Sequence, residues 1–381
     1  MSAENFGGCA IWRWGWVRLA VTLAMVGAAG AQTLPAEAAT EMAQRVRAEM
    51  DERHIPGLAV MVVREGQTIW TGCFGLADLE NAIPVTGQTV FRFASVSKAI
   101  TAVAAMRLVE AGRLTLDASV TEMLAADGVV LDGRITVRHL LSHQSGLRHY
   151  QPQAGREPLR HYNRLADVLR AKAGDAPLFA PGTKFGYTTY GYVVLGRVIE
   201  LAGGAEFAEQ MRAGVFVAAG MKTARVDDLY TLIPHRAQGY FRSLNGEWRN
   251  SEPSDLSEKI PGGGLCGTIN DLAAFAAALQ RGTLLSPATM ALMWTPQTLT
   301  DGSATSYGLG WYVGTANGRR EVYHPGTQAK VSSMLWLSPD DDIAVVILGN
   351  LEQLNFLSLA RQLGALAREA PVTTNTGPHP K

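Results

Sequence analysis

Cysteine is scarce in this chain, and its charges are balanced. Three cysteines occur among 381 residues, and Lys plus Arg equal Asp plus Glu at 34 each. This composition excludes a disulfide scaffold. Neutral charge and the lack of a basic stripe give no support for nucleic acid or an anionic membrane as a partner. No internal repeat or low-complexity block occurs, and 47% hydrophobic residues are typical of a globular protein.

Metal-binding patterns are also missing. His139 and His143 have an i, i+4 helical spacing that suits zinc, but the glutamate of an HExxH motif is absent, so no metal site is predicted. No CxxC pair occurs. Cys73 and Cys266 lie far apart, which leaves one disulfide bridge or two free thiols as alternatives.

Residues 1–31 are typical of a secretory signal peptide. Arg13 and Arg18 precede the apolar run LAVTLAMVGAAG, and residues 29–31 (AGA) are the small residues that a signal peptidase needs. The run is short and rich in Gly and Ala for a membrane span. We therefore expect cleavage before Gln32 and a periplasmic or secreted protein with no membrane attachment. An uncleaved N-terminal anchor is the alternative.

Strand patterns occur near both ends of the remaining chain, and helical patterns dominate between them. Two strand-like runs follow an amphipathic helix at 36–53, and further runs lie beyond residue 300. No βαβ alternation links them. The pattern predicts an α+β fold in which one antiparallel β-sheet is built from both chain ends and flanked by terminal helices. A mostly helical lobe is inserted between the two groups of strands.

The expected domain spans residues 32–370 and consists of two lobes. The predicted boundaries are 36–93 and 301–368 for the sheet lobe, 94–300 for the helical lobe, and 371–381 for a disordered tail.

One lysine lies where a charge is least favourable. From Ser95 to Met106 the sequence SVSKAITAVAAM is apolar or small except at Lys98, which is typical of a buried helix. Burying an ammonium is expensive unless it is paired or loses its proton. The alternatives are a lysine that extends to the surface and a catalytic lysine. Ser95 lies on the same helix face, and a lysine with a lowered pKa can activate a serine nucleophile.

Two further motifs contain residues that could take part in chemistry. Tyr187 lies in FGYTTYGY, where core packing is the simpler interpretation of an isolated tyrosine. His324 lies in YHPGT at the end of a strand-like run, where a lone histidine is more often structural. Neither residue alone is sufficient to predict a catalytic site.

Together, the order and spacing of FASVSK, YTT and HPG resemble the serine β-lactamase and penicillin-binding protein superfamily. The resemblance is strongest to its class C-like branch, which includes esterases, D-amino-acid peptidases and the mitochondrial serine β-lactamase-like proteins. ITVRHLLSHQSGLRHY, PGTKFGYTTYGYVVLGRVIE and GGGLCGTINDLAAF extend the resemblance over nearly the whole mature chain.

The resemblance implies a role for each matching residue. Ser95 would be the acylated nucleophile, and Lys98 and Tyr187 would share the proton transfers. The backbone amides of Ser95 and Thr327 would form an oxyanion hole. The other positions implied to contact substrate or the proton network are His324, Thr189 and Gly326.

Two motif positions differ from those of the family's β-lactamases. Thr189 stands where these commonly have the asparagine of Y-x-N, and His324-Pro325-Gly326 stands where they commonly have K-T-G. The lysine of that motif normally pairs with the carboxylate of the drug, so its loss disfavours a true β-lactamase. The absence of a G-x-S-x-G elbow disfavours an α/β-hydrolase, and S-D-N of class A β-lactamases is absent too.

The sequence therefore predicts an exported serine hydrolase that forms an acyl-enzyme at an ester, amide or peptide carbonyl. Its partner would be a small-molecule or peptide substrate, and no cofactor or metal is needed. A β-lactamase or D-Ala-D-Ala carboxypeptidase is the alternative enzyme. A non-catalytic protein that binds cell-wall peptides, or a structural protein, is the alternative of another class. The oligomeric state is left open.

Overall fold

A computed structural model describes residues 32–150, 160–172, 176–371 and 373–374 of the chain. The predicted signal peptide, residues 1–31, lies outside the described residues, as do residue 372 and residues 375–381 of the predicted tail. Within the described parts, no helix combines the length and the apolar character needed to cross a bilayer.

The described chain contains strands near both ends and helices mainly between them. The strands are β1 (Gln32–Thr33), β2 (Gly57–Arg64), β3 (Gln67–Asp78), β4 (Ile83–Pro84), β5 (Phe91–Arg92), β6 (Arg225–Val226), β7 (Tyr240–Arg242), β8 (Trp248–Asn250), β9 (Leu265–Gly267), β10 (Tyr312–Ala316), β11 (Arg319–Gln328), β12 (Val331–Ser338), β13 (Ile343–Gly349) and β14 (Thr373–Thr374).

Helices of very different lengths connect these strands. The helices are α1 (Ala36–Arg53), α2 (Val96–Glu110), α3 (Val120–Leu124), α4 (Val137–Leu141), α5 (Leu165–Lys172), α6 (Thr189–Gly203), α7 (Phe207–Met211), α8 (Val217–Ala219), α9 (Ile260–Gly263), α10 (Ile269–Gln280), α11 (Pro287–Met293) and α12 (Leu357–Glu369). A short 3₁₀ helix at Ala125–Asp127 and a π-helical turn at Arg212–Phe216 complete them.

The main sheet has seven strands in the order β10-β11-β12-β13-β2-β3-β4. Its N-terminal and C-terminal strands meet where β13 pairs antiparallel with β2, from Ile343 opposite Arg64 to Gly349 opposite Leu58. Each neighbouring pair in the sheet is antiparallel. The predicted fold class, with one antiparallel sheet built from both chain ends, is confirmed.

Alternate residues of the central strands face two separate apolar layers. On β2, Leu58 and Val60 pack in the cluster that contains Met42 of α1 and Leu363 of α12. Ala59 and its i+2 neighbours on the same strand pack in the larger cluster formed with α2, α6 and α10. Both faces of β2 are therefore covered by helices, which explains its continuous apolar sequence.

Helix α2 is buried on all sides, as its sequence predicts. Its small residues allow α6, α9 and the inner face of the sheet to pack closely around it. A second, three-stranded sheet in the order β5-β9-β6 holds the segment that enters this helix. The N-terminus of α2 is therefore fixed between the helical region and the edge of the main sheet.

Both cysteines within the described residues are free thiols, so of the two alternatives no bridge forms. Burial raises the pKa of the Cys73 thiol to about 11 and, together with the charge of Asp227, raises the pKa of Cys266 to about 12. Such thiols stay protonated near neutral pH and are poor nucleophiles.

The two ends of the described chain lie together. Gln32 pairs with Thr374 and Thr33 pairs with Thr373 in a short antiparallel ladder. The first residues after the predicted cleavage site thus contact the beginning of the predicted tail.

Candidate active site

Ser95 lies at the N-cap of α2, directly after a strained backbone turn. Ala94 has a φ of 46°, in the left-handed region that residues with a Cβ disfavour by about 1–3 kcal/mol. The turn is held on its far side because the Ser333 hydroxyl of β12 donates to the Phe93 carbonyl at 2.7 Å. Ser95 itself is only partly buried. The turn therefore presents the Ser95 hydroxyl at the surface of an otherwise buried helix.

Lys98 lies one turn further along α2 and is fully buried. Its Nζ is 3.1 Å from Ser95 Oγ and donates to the Gly262 carbonyl at 2.7 Å. Burial, followed by the charge of Lys259, holds the pKa of Lys98 well below its usual value. The side chain is therefore favoured as a neutral amine next to the serine.

Tyr187 lies on the segment before α6 and faces the same two residues. Its ring centroid is 4.7 Å from Lys98 Nζ, and its hydroxyl is hydrogen-bonded with Ser95. Burial raises the pKa of Tyr187 above its usual value, although the hydrogen bond with Ser95 opposes the shift. A neutral amine and a protonated phenol therefore both adjoin Ser95, and of the two groups the amine is the one able to accept its proton.

Two histidines fix the backbone that follows Tyr187. The amide of Thr188 donates to His143 Nδ1 at 3.1 Å, and the amide of Thr189 donates to His149 Nδ1 at 3.0 Å. Because each Nδ1 accepts, each neutral imidazole carries its proton on Nε2. The hydroxyl of Thr188 also caps α6 by accepting from the Gly191 amide. These contacts position Tyr187 at the start of a well-anchored helix.

His324 lies on β11 and is fully buried. Its Nδ1 lies 2.7 Å from the Pro325 carbonyl, which only accepts, so Nδ1 carries the proton. In the neutral ring, Nε2 then accepts from the Tyr307 hydroxyl at 3.0 Å. Burial, followed by the charge of Lys98, lowers the pKa of His324 to about 3. Both ring nitrogens are thus occupied, and the ring is 6.3 Å from that of Tyr187.

Gly326 brings β11 against the Ser95 turn. A Cβ at this position would lie 2.9 Å from the Ser95 amide nitrogen and 2.8 Å from the Phe93 carbonyl oxygen. The next residue, Thr327, is exposed, and its hydroxyl accepts from the Gln353 amide at 2.8 Å. The strand β10 pairs with β11 only as far as Tyr323. The rest of β11, which includes Gly326 and Thr327, therefore has no described strand on that side.

The structure thus brings Ser95, Lys98, Tyr187 and Gly326 together, with His324 behind Tyr187 and Thr189 at the start of α6. Their catalytic and binding roles stay predictions. His149 and Tyr307 were missed in the sequence. His149 directly follows the SHQSGLR segment, which was a usable signal, whereas nothing in the sequence around Tyr307 indicates its contact with His324. No group of three or more His, Cys, Asp or Glu within the described ranges could hold a metal ion.

Comparison with known proteins gives matches over most of the chain. The sequence model of the Beta-lactamase family matches residues 42–368. The human mitochondrial protein "Serine beta-lactamase-like protein LACTB" is 26% identical over 400 residues, covering 80% of this chain and 72% of that protein. Penicillin-binding protein 4* of Bacillus subtilis (strain 168) is 28% identical, covering 80% and 70%. The solved structure of EstCE1, a hydrolase with promiscuous acyltransferase activity, gives a TM-score of 0.70 at 25% identity and covers 88% and 99%.

Proposed function

Because this chain belongs to the Beta-lactamase family and is a serine hydrolase, we propose that it is exported and acts through a covalent acyl-enzyme on Ser95. The family resemblance found in FASVSK, YTT and HPG is confirmed by the match over residues 42–368. The observation that carries the mechanism is the 3.1 Å contact between Ser95 Oγ and a buried Lys98 amine that has no carboxylate partner among the described residues.

In the first half of the reaction, Ser95 Oγ attacks the substrate carbonyl and its proton passes to neutral Lys98 Nζ. Tyr187, hydrogen-bonded with Ser95, orients the hydroxyl and relays the proton to the leaving group as the carbonyl–heteroatom bond breaks. The second half repeats the transfer with water as the nucleophile. The proton taken from water returns to Ser95 Oγ as the acyl group leaves.

Charge on the carbonyl oxygen would be stabilised by the amides of Ser95 and Thr327. The close approach of Gly326 to the Ser95 nitrogen supports this role, because it brings the two chain segments within one small site. The Ser95 amide also belongs to the N-terminus of α2, where the helix dipole favours negative charge. Amides fixed in this way stabilise a developing oxyanion without reorganising.

We propose esters, amides or peptides as the substrates rather than β-lactam drugs. His324 is buried, and both of its ring nitrogens have hydrogen-bond partners. This favours an uncharged imidazole that packs and positions its neighbours over a charged partner for a substrate carboxylate. A charge-assisted hydrogen bond contributes about 1.5–3 kcal/mol, and this position lacks it. Cleavage before Gln32 is the proposed route to export, and Gln32 is also the first residue of β1.

A substrate comparison tests this proposal. We expect kcat/KM for a short-acyl p-nitrophenyl ester to exceed that for a chromogenic cephalosporin by about 10-fold to 100-fold, the equivalent of the missing charge contact. The cephalosporin would acylate Ser95 and be released slowly, which intact mass spectrometry detects as a persistent adduct. Faster turnover of the cephalosporin than of the ester would instead establish the β-lactamase alternative.

Replacement of Gly326 by alanine should damage both the fold and the site. The new Cβ would lie 2.3 Å from Ser333 Oγ as well as against the Ser95 turn, and overpacking of this kind costs about 1–3 kcal/mol. We expect Tm to fall by several degrees and kcat for the ester to fall about 100-fold through misplacement of Ser95.

The control for this variant is Gly133→Ala, because a Cβ at Gly133 meets nothing within 4 Å. Both quantities should be unchanged in the control. A Gly326→Ala protein with the Tm and kcat of the unmodified chain would contradict the close packing of β11 against Ser95.

A further inference from the structure

A polar cavity separate from the Ser95 site lies behind the Ser95 turn, on the side of β5 and β9. It is small, with a volume of about 20 Å³, and is partly open to solvent. Arg92, Arg236 and Lys330 line it together with the carboxylate of Asp227. Ser95, Lys98 and Tyr187 do not line it. The cavity therefore has its own chemistry, in which three cations face one anion.

The single carboxylate is already committed to the two arginines. Asp227 Oδ2 accepts from Arg92 Nε at 2.7 Å, and Asp227 Oδ1 lies 3.1 Å from the terminal nitrogen of Arg236. Arg92 also donates to Ser254 and to the Ala329 carbonyl, so that four of its five N–H groups have partners. It contributes mainly charge to the cavity.

Two cationic donors remain at the cavity. Lys330 hydrogen-bonds through its backbone amide to Ser251 Oγ, but within the described residues its ammonium has no hydrogen-bond acceptor and no carboxylate at ion-pair distance. Burial, followed by repulsion from Arg92, lowers the pKa of Lys330. Arg236 Nε is buried and likewise has no partner within the described part of the chain. A buried donor of this kind is normally satisfied.

We propose that this cavity binds a small oxyanion, a phosphate or a carboxylate, held by the Lys330 ammonium and Arg236 Nε. An oxyanion offers several acceptor oxygens, so one oxygen can accept from the guanidinium while another faces the ammonium. It also supplies the negative charge that a water molecule could not. The guanidinium of Arg92, held by Asp227, attracts the anion electrostatically without a hydrogen bond to it.

The position of the cavity links it to the Ser95 site. Arg92 ends β5, three residues before Ser95, and its guanidinium donates to the Ala329 carbonyl at 3.3 Å. Ala329 and Lys330 form the connection from β11 to β12. A bound anion would brace both segments that meet at the proposed oxyanion hole, although its binding does not depend on the proposed hydrolase activity.

Thermal unfolding of the full chain, titrated separately with sodium phosphate, acetate and chloride at equal ionic strength, tests the proposal. We expect a saturable rise in Tm of several degrees with phosphate, acetate or both, since a ligand that binds only the folded state stabilises it. A response to phosphate alone identifies a phosphate site, and a response to acetate as well identifies a general oxyanion site. In Lys330→Met the rise in Tm should disappear. Without added anion, the Tm of this variant should equal or exceed that of the unmodified chain, because a charge that repels the neighbouring arginines has been removed.

A matched control and a second variant keep the result decisive. Arg249→Gln removes an exposed arginine paired with Glu247 on the surface, and it should retain the full anion response. Arg236→Lys keeps the charge but removes the Nε donor, and it should weaken the response if Lys330→Met does not fold. The proposal is overturned by an equal response in these cavity variants, by a response to chloride alone, or by no response in the unmodified chain.

Discussion

Ser95→Ala is expected to lower kcat for ester hydrolysis by about 10⁴-fold or more, while the protein stays folded. The reason is that the proposed acyl-enzyme forms on Ser95 Oγ, which alanine lacks. Lys98 would keep its bond to the Gly262 carbonyl, so the buried amine stays satisfied in the variant. Small residues already surround Ser95 on α2, and alanine fits there. The loss should appear in kcat rather than in Tm.

Intact mass spectrometry after treatment with a fluorophosphonate probe checks this result directly. The unmodified chain should gain one adduct, and Ser95→Ala should gain none. Ser97→Ala is the matched control, because Ser97 lies on the same helix but is fully buried and accepts from the Leu265 amide. Ser97→Ala should therefore still be labelled. A folded, unmodified chain without any adduct would favour the non-catalytic binding protein that the sequence left as an alternative.

Much of the fold followed from local sequence patterns. The amphipathic helix predicted at 36–53 is α1, and the strand-like runs predicted after it and beyond residue 300 include β2 and β12. Each of these elements is long enough for its periodicity or apolar content to be visible. The strands β5, β6 and β9, of two or three residues each, are too short to show a period. They exist because segments distant in sequence pair beside Ser95.

The candidate site was only partly readable for the same reason. Ser95 and Lys98 lie one helical turn apart, so their contact follows from α2 alone. The Gly262 carbonyl that accepts from Lys98 belongs to the glycine-rich turn of α9, far away in sequence. The occupied nitrogens of His324 likewise depend on Tyr307, whose position follows only from the assembled sheet. The protonation states of Lys98 and His324 could therefore be inferred only from the structure, whereas the identity of the candidate residues could be inferred from residue type and spacing.

Lys98→Met should have two opposite effects, a large loss of activity and a gain of stability. Removal of a general base lowers the rate by about 10²–10⁴-fold. At the same time, methionine fills a similar volume in the apolar surroundings of α2, and it has no proton to lose on folding. The gain is reduced by the unpaired Gly262 carbonyl, which costs about 1–3 kcal/mol. We expect a net rise in Tm of about 3 °C at pH 7, measured by thermal unfolding.

The pH dependence of this difference identifies its cause. The pKa of Lys98 lies well below 10.5 in the folded chain, whereas the unfolded chain has the ordinary value. Between these two pKa values only the unfolded state binds the proton, so this residue makes the stability of the unmodified chain rise with pH. The Tm advantage of Lys98→Met should therefore shrink as the pH approaches 10. Lys184→Met, at an exposed lysine before Tyr187, is the control and should show neither effect. A Tm difference that is constant with pH would show that Lys98 keeps its proton in the folded protein and cannot act as the base for Ser95 without first losing it.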